Sequence, residues 1–142
     1  MEQWEFKCAM EVRDYELDMQ GIVHHSVYVS YLEYCRSLYA RSAGIDVHEY
    51  HRQGYDVVIA ALDQEYKSSL MPYEQFYVTA RVAREGRLRM VFHQEIRRQK
   101  DDSLVLKAKV TAVWIDLKTR RPCMPEALED WFRGKLQNEH LS

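Results

Sequence analysis

The sequence predicts an α+β domain in which an antiparallel sheet of about five strands wraps one long helix. Three observations carry that reading. An alternating segment at residues 5–13 precedes a helical stretch with apolar and aromatic positions at Tyr28, Tyr31, Leu32, Cys35, Leu38, Tyr39 and Ala43. Four further strand-like segments lie between Val57 and Trp114, joined largely by hairpin signals. A sheet face and a helix stripe must cover each other, which an α+β arrangement with a single long helix achieves.

Each element has its own signal. Phe6, Cys8, Met10 and Val12 alternate with polar neighbours, so the first strand buries one face. A polar loop runs from Asp14 to Gly21, and Ser26, with His24 or His25 at the edge, caps the long helix. Gly44 suits its C-terminus, and Asp46 to Gln53 reads as a short second helix closed by Gly54. Val57, Ile59 and Ala61 alternate with the equally apolar Val58, Ala60 and Leu62, which predicts a central strand.

Beyond Pro72, the residues Phe76, Val78, Ala80 and Val82 face one way. Glu85-Gly86 marks a turn into the row Leu88, Met90, Phe92 and Ile96, which Gln94 interrupts. A second turn at Lys100–Ser103 leads to the longest alternation, Leu104 to Trp114. Arg120-Arg121-Pro122 ends the sheet, and Pro125 opens a C-terminal helix reaching about Leu136.

The totals bound what such a fold can do. The 142 residues predict one domain, residues 1–142, able to bury roughly 70% of its unfolded surface. A formal charge of -2 gives no global attraction to nucleic acid or anionic lipid. No apolar run approaches the ~20 residues of a membrane-spanning helix. Cys8, Cys35 and Cys123 form neither a zinc pattern nor a redox pair, and they predict structural thiols in a reducing cytoplasm.

Chemistry concentrates before the long helix. In Asp18-Met-Gln-Gly21-Ile-Val-His24-His25-Ser-Val-Tyr28 a carboxylate and an imidazole flank a glycine turn next to a helix N-terminus. Those groups suit attack on a carbonyl and stabilisation of the resulting oxyanion. The competing reading of Asp18 is a turn cap. No metal is expected, since adjacent histidines usually point apart and no third ligand recurs at i+4. Glu33 and Arg36 lie further along the helix, where an ion pair or interface contact is the plain reading. Glu33 is held in reserve as a catalytic carboxylate.

The element order, the segment Tyr15–Tyr28, Glu33-Tyr-Cys-Arg36, Tyr66-Lys67 with Pro72, and Thr119–Pro122 resemble the hot-dog-fold acyl-CoA thioesterases. The likeness is greatest to the 4-hydroxybenzoyl-CoA branch that includes Tol–Pal-associated enzymes, and it covers about Phe6 to Pro125. It implies Asp18 as nucleophile or general base, His25 as its helper, and a thioester carbonyl at the start of the long helix. Gly21, His24, Tyr28 and Glu33 would border the acyl or oxyanion region. Lys67, Arg87 and Arg89 would meet the phosphates of CoA.

No cofactor is implied beyond the CoA carried by the substrate. An acyl-CoA, or an acyl carrier protein, would be the partner, and the chain would form a homodimer or a homotetramer as a dimer of dimers. Two other functions fit the same fold: a 3-hydroxyacyl thioester dehydratase and a non-catalytic acyl-CoA binding module. The Asp–Gly–His arrangement favours hydrolysis.

Overall fold

A computed structural model describes residues 4–141, with side chains placed up to Lys135. The strands are β1 (Phe6–Glu11), β2 (Tyr55–Tyr66), β3 (Gln75–Glu85), β4 (Arg89–Arg98), β5 (Leu104–Asp116) and β6 (Arg121–Cys123). The helices are α1 (His25–Ser42), α2 (Val47–Arg52) and α3 (Glu126–Leu141). All strands join one antiparallel sheet of order β1-β3-β4-β5-β2, and β6 pairs with β5.

The α+β reading holds, with two corrections to the sheet. The Arg121-Pro122 stretch does not simply end it. Residues Arg121–Cys123 pair with Trp114–Asp116, beyond the point where β4 has run out at Arg89 opposite Val113. The second correction concerns β2, which is an edge strand and not a central one. Its apolar residues remain open, with Val58, Ile59 and Leu62 between 43% and 49% exposed.

A bulge lies between Ile59 and Ala61. It opposes Ile59 to Ala112 and Leu62 to Val110, so both point to the inward face although simple alternation separates them. Beyond the bulge, Gln64 and Tyr66 stay inward, opposite Ala108 and Leu106. Asp63 and Glu65 face outward, opposite Lys109 and Lys107, where opposite charges across the strands are favourable.

The long helix forms where periodicity places it. Its buried stripe is Tyr28, Tyr31, Leu32, Cys35 and Tyr39, laid over β1 and β3. Its C-terminus closes with paired bonds: the N–H of Ile45 donates to Ala40 O at 2.8 Å and that of Gly44 to Arg41 O at 3.0 Å. Gly44 has φ +79°, a conformation that disfavours any side chain. α2 packs on β2, with Tyr50 edge-on to Trp114 at 5.1 Å.

The C-terminal helix extends to Leu141, past the expected Leu136. It packs Trp131 against Tyr39 and pairs Glu129 with Arg84 at 2.6 Å. The interrupted row on β4 also has a physical reason. Gln94 is fully buried, accepts from Arg36 Nη1 at 3.0 Å and donates to Leu32 O at 3.1 Å, bridging sheet and helix.

Leu32 has no exposed surface and sits under this bridge. Leu32→Ala is expected to cost about 2–5 kcal/mol of stability, measured as a lower urea midpoint with an unchanged slope.

Candidate active site

The segment before α1 is a short hairpin with its own hydrogen-bond system. Leu17 and Val23 form an antiparallel bridge. Between them the N–H of Asp18 donates to Ile22 O at 2.8 Å and that of Gly21 to Asp18 O at 3.1 Å. Gly21 has φ +79°, which explains glycine at this position. Asp18 Oδ1 accepts the N–H groups of Gln20 at 2.8 Å and Ile22 at 3.3 Å. Asp18 therefore does cap its turn, and the two readings of this residue coexist. Capping fixes one carboxylate oxygen and leaves Oδ2 without a partner among the described residues.

The hairpin is tied down from two sides. Glu16 is a buried carboxylate just before it. Its Oε1 accepts from Tyr31 Oη at 2.6 Å and from the N–H of Arg13 at 2.8 Å. Its carbonyl accepts the N–H of His24 at 3.0 Å, so one residue holds both arms of the loop and the helix beneath. On the other side Leu70, fully buried, accepts the N–H of Val23 at 3.1 Å and donates its own to Tyr28 Oη at 3.0 Å. Arg98 anchors the 67–74 loop that carries Leu70, bonding Glu74 at 2.9 Å, Ser68 Oγ at 2.9 Å and Ser69 O.

The helix cap differs from the one expected at Ser26. His24 is the N-cap, and its Nδ1 accepts the N–H of Ser26 at 3.2 Å. That bond requires the lone pair on Nδ1, so a neutral His24 carries its proton on Nε2. The adjacent histidines do not diverge: their rings stack at 4.3 Å. The N–H of His25, first in the helix, has no acceptor among the described residues and is available at the positive end of the dipole. No hydrogen bond joins Asp18 to His24 or His25 among the described residues.

The remaining predicted residues divide. Tyr28 is buried behind the helix entrance, edge-on to Tyr66 and Tyr31, with its hydroxyl engaged by Leu70. Glu33 is eight residues from His25, about 12 Å along the axis, and borders a separate cavity. Lys67, Arg87 and Arg89 form no cluster. Lys67 follows β2 and bonds Val105 O, whereas Arg89 opposes Val113 at the other end of β5, about 26 Å away.

Sequence reading missed Glu16, Tyr66 and the cavity. Tyr66 Oη reaches His25 O at 3.4 Å and Gln64 Oε1 at 2.6 Å, linking the end of β2 to the helix entrance. Position 66 was visible as part of a motif, but its partner 41 residues away was not. The cavity, about 420 Å³, lies between the C-terminal half of α1, the sheet, α2 and α3. The cysteines supply no nucleophile, since burial raises all three thiol pKa values and takes Cys35 up to about 12.

Comparison with known proteins fits this geometry. Residues 12–132 match the family described as the thioesterase-like superfamily. A chloroplastic acyl-acyl carrier protein thioesterase of Arabidopsis thaliana, ATL2, is 34% identical over 135 residues, 95% of this chain and 71% of that protein. The structure of a DHNA-CoA thioesterase from Staphylococcus aureus superposes with a TM-score of 0.83 at 25% identity, covering 96% of this chain and 91% of that one. A 1,4-dihydroxy-2-naphthoyl-CoA thioesterase from Synechocystis shares the hot-dog fold, with a TM-score of 0.84 at 14% identity over 89% and 94% of the two chains.

Tyrosines whose pKa values the fold raises set a pH limit on it. Burial, then the Glu16 carboxylate, raises the pKa of Tyr31, while burial and Asp102 push Tyr77 up to about 12. Folded-state values above the ordinary ~10 give stability that is fully present below pH 10 and lost as pH rises beyond it. The melting temperature is expected to hold up to about pH 10 and fall progressively above it in thermal scans. Tyr31→Phe should blunt that fall, and an identical alkaline profile in the variant would contradict the assignment.

Proposed function

Because the chain belongs to the thioesterase-like superfamily and is a thioester hydrolase, we propose that it cleaves acyl thioesters at the Asp18 hairpin. The observation that carries this reading is the Asp18 carboxylate, with Oδ1 fixed by two backbone N–H groups and Oδ2 unengaged among the described residues, in the hairpin that leads into a helix N-terminus. Oδ2 takes a proton from water as the water oxygen bonds to the thioester carbon. The carbonyl oxygen becomes an oxyanion, held by the His25 N–H and the positive end of α1. The intermediate then collapses, the carbon–sulfur bond breaks, and the leaving thiolate takes up the proton. His25, stacked on His24, orients the carbonyl.

Direct attack by Oδ2, giving a mixed anhydride, uses the same geometry. A single turnover in labelled water tests the second route: label in Asp18 establishes direct attack with water opening the anhydride at the Asp18 carbonyl, whereas the general-base route never labels Asp18. CoA is the proposed donor, with acyl carrier protein the alternative suggested by the Arabidopsis relative. Lys67, next to Tyr66 and thus beside the helix entrance, is the residue proposed to meet the CoA phosphates. Arg87 and Arg89, at the far end of the sheet, are not. The three free thiols suit a reducing compartment.

Asp18→Asn keeps an acceptor for Gln20 and Ile22, so the hairpin should persist while thiol release from acyl-CoAs falls at least about 100-fold. A folded variant with wild-type turnover would sink the proposal.

The same reading includes a homodimer formed through β2. That strand offers twelve residues of free edge with apolar side chains open on both faces, an arrangement monomers avoid. Antiparallel pairing of two copies would satisfy the edge and cover Val58, Ile59 and Leu62. Sedimentation equilibrium is expected to give about twice 17.0 kDa, and a monomer at micromolar concentration would refute the pairing.

A further inference from the structure

The cavity of about 420 Å³ beneath the second half of α1 lies apart from the Asp18 hairpin. Its walls include Val57 and Ile59 from β2, Ala112 and Trp114 from β5, and Trp131 and Phe132 from α3. Protein interiors are close-packed, and an apolar space of this size is in the range of ligand pockets, far above an ordinary packing defect.

A continuous strip joins it to the reactive end. The inward row of β2 runs from Val57 and Ile59 in the cavity wall through Leu62 and Gln64 to Tyr66, whose hydroxyl meets His25 O. Facing it, α1 presents Glu33, Ser37 and Ala40 to the cavity at helical spacing. That row therefore runs from beside the helix entrance, where the thioester carbonyl would be held, to the apolar hole.

We infer that this cavity seats the far end of a long aliphatic acyl chain, an assignment that rests on the thioesterase reading above. The spacing supplies a ruler. From His25 to Glu33 the axis advances about 12 Å, and to Ala40 about 22 Å. An extended chain gains roughly 1.3 Å per carbon, given C–C bonds near 1.5 Å. Chains of up to about nine carbons stop at the cavity mouth, and those of about ten to sixteen fill it. A small aromatic acyl group cannot reach it.

The test has a kinetic and a spectroscopic arm. In the first, kcat/KM is measured on saturated acyl-CoAs from four to sixteen carbons. The expected profile is shallow to about nine carbons and then rises about fourfold per methylene entering the cavity. A best substrate of four to eight carbons, or an aromatic one, overturns the inference while leaving the thioesterase reading intact.

Ala112→Phe fills the cavity from the sheet and Ala40→Phe from the helix, so either folded variant serves. Each should lower the ratio of kcat/KM for hexadecanoyl over hexanoyl ester at least tenfold. An unchanged ratio in a folded variant refutes the seat.

In the second arm, dodecanoate brominated at its terminal carbon is added to the protein. Two of the three tryptophans line the cavity, so their fluorescence should be quenched in the wild type and spared in Ala112→Phe. Quenching without thiol release from any ester would uphold the seat and overturn hydrolysis. Absence of quenching would overturn the seat itself.

Discussion

The geometry of the Asp18 hairpin and the helix entrance depends on one buried carboxylate. Glu16 receives the Tyr31 hydroxyl and the Arg13 amide on its side chain and the His24 amide on its carbonyl. Those bonds join the loop before Asp18, the residue that caps α1, and the helix surface two turns inside it. A buried acceptor left unpaired is costly, so each bond makes the others harder to lose. Asp18 needs no contact with the core of its own, because the arms of its hairpin are fixed on either side.

A second constraint is area. One long helix cannot cover an inward sheet face five strands wide, and α1 lies over β1 and β3. Leu128 and Phe132 of α3, together with Tyr50 of α2, cover part of the remainder. What stays uncovered is the inward side of β2 and the hole beside Trp114. The uncovered strand face, the cavity and the open edge are thus one consequence of an undersized covering layer. Arg36 stays beside this hole because Gln94 bonds its guanidinium, while burial pulls its pKa down from the usual value.

Periodicity and turn chemistry made most of the fold legible. The stripe Tyr28–Tyr39, the Gly44 terminus and the β3-β4-β5 meander all follow from local rules. The edge position of β2 was not legible, because an apolar pattern on both faces has the same appearance whether the cover is another layer or another chain. Asp18 and Gly21 were found from spacing. Glu16 was not, since its partner Tyr31 lies fifteen residues away and nothing in a single sequence marks the pair. The separation of Lys67 from Arg89 was hidden for a related reason: both follow strand signals, but the register sends them to opposite ends of the sheet within one chain. Gln94 did leave a trace, as a polar residue interrupting an inward row.

The bulge at Ala60 bears on how this chain can change length. In an unbroken ladder Ala60 would oppose Thr111, and every later residue of β2 would exchange faces, turning Asp63 and Glu65 toward the helix entrance. Ala60 is the supernumerary residue, so its deletion leaves all existing partners opposite one another. Loss of a residue from the strand on either side would transpose the apolar and acidic rows unless the bulge moved to compensate. The strand thus contains a single position where a deletion is silent in register, set between the half that lines the cavity and the half that reaches the helix entrance.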